Sequence, residues 1–168
     1  MIEHRLLAHW PFPAFVMDAD WTILRLNRAA EAMFGTFRDP ENGELNVFAI
    51  FLSDRFRDLV ENWEEASTSL YFRLQTAAMH SVRIRQGFDA ARARGMFDHI
   101  GQAITSAHDI PIYVPVIFRH PSGARLKLTS LLGQLVSVHD ALVAGFEIEL
   151  MVPVDAETER CMMANLPA

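Results

Sequence analysis

Cysteine is nearly absent from this chain: Cys161 stands alone, which excludes an internal disulfide and every multi-cysteine metal site. It lies near a polar tail and reads as a surface thiol of no special function. Cations are also few. Lys and Arg number 15 against 21 Asp and Glu, and the formal net charge is −6, whereas nonspecific nucleic-acid affinity comes mainly from clustered cations. The pairs Arg83/Arg85 and Arg92/Arg94 are the only basic concentrations and read as a solvated face. No apolar run reaches the roughly 20 residues that cross a bilayer, and no basic region with an apolar stretch and cleavage site opens the chain. A cytoplasmic location without membrane contact is the expectation.

Catalytic signatures are missing too. No Gly-x-Ser-x-Gly and no glycine-rich phosphate loop occur, and Gly123 and Gly133 sit singly within a β pattern, where a turn or bulge is their ordinary role. The histidines, His4, His9, His80, His99, His108, His120 and His139, include no His-Glu-x-x-His and no close pair flanked by carboxylates suited to zinc. The expectation is a protein that is not an enzyme, with no catalytic residues, no metal and no obligatory cofactor.

What is present is apolar. Hydrophobic residues make up 51% of 168, charged residues 21%, and the mean hydropathy is +0.11, values that suit one folded domain with an ample core. Residues 1–12 form an amphipathic lead-in ended by Pro11 and Pro13, able to pack on its own domain or on a partner. Ala14–Met17 and Thr22–Leu26 read as strands around an Asp18-Ala-Asp20 turn. Asn27 then caps a short alanine-rich helix, which Gly35 can close in a left-handed conformation.

Residues 36–45 are turn-rich. From Ser53, another capping residue, Phe56, Leu59, Val60, Trp63, Leu70 and Leu74 recur at helical steps through one long helical region. A similar pattern runs from Phe88 to Ile104, with helix ending by Pro111. Beyond it, Tyr113–Arg119 and Arg125–Leu132 flank a Pro-Ser-Gly turn. Gly145–Val152 alternates Phe146, Ile148 and Leu150 with Glu147 and Glu149, the mark of a strand with one buried and one wet face. Two strands, a block of helices and three strands imply an α+β fold: an antiparallel sheet of about five strands, with an enlarged helical insert laid over one face.

Against this background "DADWTILRLNRAAEAMFG" resembles the opening of a PAS domain, and "FRHPSGARLKLTSLLGQLVSVHDALVAGFEIELMVPVD" its closing three strands. The middle, "NVFAIFLSDRFRDLVENWEEASTSLYFRLQTAA", resembles the MmyB-type ligand-binding domain. The matching positions are Asn46, Phe51, Arg57, Trp63, Ala66 and Arg73, followed by His120-Pro121 and Leu126. The likeness covers residues 13–155 as a PAS-like sensor domain, with 1–12 as lead-in and 156–168 as tail. That family usually follows a helix-turn-helix of the XRE class in bacterial transcription regulators. No such motif precedes residue 13, so DNA contact is expected only through a part absent from this chain.

The resemblance implies sensing of a hydrophobic small molecule such as a fatty acid, and a homodimer. Twelve Phe and eight Met supply bulky, adaptable side chains for an apolar guest or for a solid core. Candidate ligand contacts are Phe34, Phe48, Phe51, Phe56, Trp63, Tyr71 and Leu74. Arg73 is the preferred partner for a carboxylate head group, since a guanidinium can bind two oxygens, with Arg119 and His120 as second choices. Two alternatives stand beside this reading: a dimerisation or interaction module with no ligand, and a haem sensor using His99. A flavin photosensor of the PAS kind would need a cysteine in the helical region.

Overall fold

Two short strands, β1 (Ala14–Met17) and β2 (Ile23–Leu26), fold back on each other around Asp18, whose Oδ1 accepts hydrogen bonds from the backbone N–H of Asp20 and of Thr22, both at 2.9 Å. The tight turn leaves Trp21 at φ 61°, a left-handed conformation that a bulky side chain adopts only under constraint. A computed structural model describes residues 2–100, 114–134 and 146–164 of the protein. The expected helix beyond Ile100 and the strand ends at Tyr113 and Gly145 lie outside these residues.

Asn27 fastens the start of the fold. Its Oδ1 accepts from Ala30 N, capping helix α2 (Arg28–Phe34), and from Ala14 N, while Nδ2 donates to the carbonyls of Trp10 and Phe12. Gly35 does not close this helix in a left-handed conformation. Its φ is −56°, and the chain continues into a 3-10 turn at Gly35–Phe37. Asn46 and Ser53 cap α3 (Val47–Phe51) and α4 (Asp54–Leu59) by accepting from Ala49 N and Phe56 N.

The long helical region expected from Ser53 onward is interrupted. Val60 is extended and bridges Phe118, Glu61 N donates to Ile117 O, and Asn62 both donates to Pro115 O and accepts from Ile117 N. Helix then resumes as α5 (Trp63–Ala77) and, after Ser81 as cap, α6 (Val82–Ala93). The α6 axis stops short of Gly95, which stands at φ 75°.

Strands β3 (Val116–Arg119), β4 (Arg125–Gln134) and β5 (Glu147–Pro153) complete one antiparallel sheet in the order β2-β1-β5-β4-β3. The expected α+β architecture, a five-stranded PAS-like sheet under a helical insert, is the one observed. The chain from Ala156 is not simply a tail, since Ala156–Ala164 forms helix α7 against β4 and β5. Its Thr158 is fully buried and accepts a hydrogen bond from Lys127 N, and Cys161 on the same helix is half-buried and packed against the main core.

Both faces of the sheet are covered, not one. On one face Phe15, Met17, Phe118, Leu126, Leu128 and Met151 pack with residues of α2 to α6 in the main core. On the other, Ala14, Val16 and Ile148 pack against Leu7 of helix α1 (Ile2–His9), with Trp10, Phe146 and Leu150 at the margin. This corrects the reading of β5. The Ile148 side lies toward α1, while Glu149, expected in water, is 3% exposed. The alternation had the right period, but with a cover on each face neither Ile148 nor Glu149 meets solvent.

Candidate functional site

Helix α5 presents Trp63, Ala66, Ser67, Leu70 and Arg73 to a cavity of about 260 Å³, at spacings of three and four residues that keep them on one helical face. The sheet supplies the opposite wall through Val116, Leu128, Ser130 and Glu149, while Phe51, Phe56 and Val60 close one side. A smaller hollow of about 40 Å³ shares Phe51, Phe56, Val116, Ser130 and Glu149 with it and reaches Phe15 and Phe34. Of these two, the larger is the one with room for an organic molecule.

The polar end is built around Glu149. Its Oε1 accepts from Ser130 Oγ at 2.7 Å, and its Oε2 lies 3.0 Å from Arg73 Nη2. Glu147 Oε2 is a further 3.7 Å contact of the same guanidinium, which also lies 4.5 Å over the ring of Trp21. The Arg73–Glu149 approach is close enough for an ion pair but is not aligned as a hydrogen bond. Among the described residues, Arg73 Nη2 and Glu149 Oε2 are thus buried with this ion pair in place of a hydrogen bond, and Trp63 Nε1 is buried with neither.

Of the residues expected to contact ligand, Phe51, Phe56, Trp63 and Arg73 line the larger cavity and Phe34 the smaller hollow. Phe48 is buried edge-on to Trp21, and Leu74 is fully enclosed in the core. Tyr71 lies toward Phe88 and Phe97, beside a separate surface cleft. Arg119 donates from Nη1 to Asp58 O at 2.6 Å, and His120 is engaged with Ser122 in the hairpin turn. Neither lines the cavity. His99 Nε2 is 2.8 Å from Ser67 Oγ, so this ring nitrogen is already engaged by a hydroxyl. Among the described residues, no group of three His, Cys, Asp or Glu side chains is placed to hold a metal.

Glu149, Ser130 and Trp21 are the participants that sequence reading did not single out. The signals were slight: two acidic residues alternating with apolar ones on β5, and a tryptophan directly after an acidic turn. Among the described residues no helix is long and apolar enough to cross a membrane.

A family model described as MmyB-like transcription regulator ligand binding domain matches residues 3–164. No curated protein matches the chain.

Proposed function

The chain belongs to the MmyB-like transcription regulator ligand binding domain family, and from that premise we propose that it is a noncatalytic sensor holding a hydrophobic small molecule between α5 and the sheet. The observation that carries this is the cavity of about 260 Å³ between that helix and β3 to β5. Its walls are chiefly aliphatic and aromatic, with a few polar groups converging at Glu149, the usual composition of a small-molecule site. A single apolar chain of the fatty-acid type fits such a space. Contact with DNA, on this reading, is made by a separate helix-turn-helix.

A ligand changes output only if it prefers one conformation of the domain over another. The contacts most open to such a preference are those of Arg73 on α5, whose partners come from β5 and from the Trp21 turn together. The altered state is passed on through α1, where Leu6 is exposed beside the buried Leu7, to a second copy or a neighbouring domain.

Solvent extraction of the purified protein followed by lipid mass spectrometry tests the reading, together with thermal-shift titration against single-chain lipids. The expected result is a reproducible stoichiometric guest, or a concentration-dependent rise in melting temperature. Ala66→Phe, which places a ring against the cavity wall, is expected to abolish that rise while leaving the circular dichroism spectrum unchanged. An empty extract with no shift for any lipid would leave a domain that only mediates protein contacts.

A further inference from the structure

The larger cavity and the smaller hollow have Phe51, Phe56, Val116, Ser130 and Glu149 in common. Residues that border both spaces form the partition between them, here two rings from α3 and α4 above and one side chain from each of β3, β4 and β5 below. The strand register orders the two spaces. Leu132, Glu149 and Phe15 stand opposite one another in a single row across β4, β5 and β1. Leu132 lines the larger space and is 50% exposed, Phe15 lines the hollow and is 2% exposed, and Glu149 of the partition lies between them. The row therefore runs from an open lobe over β4 to a closed lobe over β1.

The two rings of the partition are not equally fixed. Phe56 is 2% exposed and meets Phe37, Phe51 and Phe118 edge-on at centroid separations of 6.2, 5.0 and 5.7 Å. Phe51, the last residue of α3, is half-buried, with edge contacts to Trp21 at 6.4 Å and to Phe56. Each such aromatic pair adds to the hold on a ring, so Phe56 is the backing and Phe51 the ring that a guest meets. Behind them the closed lobe, about 40 Å³, is lined by apolar side chains such as Phe15, Phe34, Ile50 and Met151. It is too small for a guest of its own but extends the room available to one that passes the partition.

We propose that Phe51 determines specificity for size: its ring confines an apolar guest to the open lobe and so sets the longest chain the domain accepts. This rests on the sensing reading and names what limits the guest in the same cavity. Each methylene that finds room out of water strengthens binding roughly fourfold, and one that finds none adds nothing or costs overpacking. Affinity plotted against chain length should therefore climb and then break where the open lobe is full.

Calorimetric titration with straight-chain saturated carboxylates from hexanoate to hexadecanoate, below their micellar concentrations, locates that break. Phe51→Ala joins the two lobes and is expected to move the break longer by about two carbons or more, whereas Phe51→Trp moves it shorter. Unfolding curves verify that each variant is folded, and Phe51→Leu takes the place of Phe51→Ala if the alanine variant is not. A ring that only supports the fold would lower every affinity alike and leave the break where it was. An unmoved break in the folded variants thus overturns the assignment to Phe51 and leaves sensing intact. A steady climb through hexadecanoate in the unaltered protein overturns the partition as a limit. Failure of every chain length to bind overturns this inference and the cavity's role together.

Discussion

Arg73 and Glu149 form one contact but do not depend on it equally. The Arg73 side chain retains 24% exposure and keeps Glu147 and the Trp21 ring as further partners, whereas Glu149 retains 4% and, among the described residues, has Ser130 alone besides. Removing the arginine therefore strands a buried carboxylate, while neutralising the carboxylate leaves an arginine with other company. Arg73→Met is expected to lower stability by about 3 kcal/mol and Glu149→Gln by about 1 kcal/mol. Urea unfolding midpoints at unchanged slope measure the difference, and equal losses would show that the two groups share the burial cost evenly. The arginine was legible as a candidate because it ends an apolar helical face. Its acidic partner was hidden, because alternation in a strand tells which residues share a side and not which side is wet.

At the scale of elements, local signals were most legible where side chains act on their own neighbours. Asn27 and Ser53 cap helices as the sequence indicated, since both accept from an N–H three residues ahead. The break at Val60 was not legible. Hydrophobic spacing runs on through Phe56, Val60 and Trp63, and the interruption comes from pairing with β3, a partner more than fifty residues away. Helix α7 was missed for a similar reason, because its docking depends on Lys127. Asp155 accepts from Lys127 Nζ at 2.9 Å and from Thr158 N at 2.8 Å, and the lysine foremost holds its carboxyl well below the usual value of 3.8.

A carboxylate with a depressed folded value contributes its full stability above its unfolded value and loses it as pH falls from there through the folded value. Asp155→Asn keeps an acceptor for Thr158 but gives up the ion pair. The difference in melting temperature between wild type and this variant should therefore be present at pH 7 and narrow progressively as pH falls below about 4. A gap that persists in acid would assign the helix's attachment to packing and not to charge.

For the molecule as a whole, the second layer matters as much as the first. Helix α1 covers a face that the sequence order left open, tied by Leu7, by the Trp10 Nε1 bond to Met151 O and by Asn27. Leu7→Ala is expected to cost about 2–3 kcal/mol, and deletion of residues 2–10 to expose Val16 and Ile148 and promote self-association. Chemical denaturation and light scattering after size exclusion would measure these effects. A truncated chain as stable and monodisperse as the intact one would show that α1 is dispensable for covering the sheet.

Trp63 borders the cavity, and Trp21 lies beneath the guanidinium at its polar end, leaving only Trp10 among the three indoles on the opposite side of the sheet. On the sensing reading, filling of the cavity is expected to register in ultraviolet emission without any added dye. A guest that draws Arg73 away from Trp21 alters the brightness of that fluorophore, while one that reaches the Trp63 nitrogen shifts its colour, so the domain carries its own spectroscopic gauge of filling.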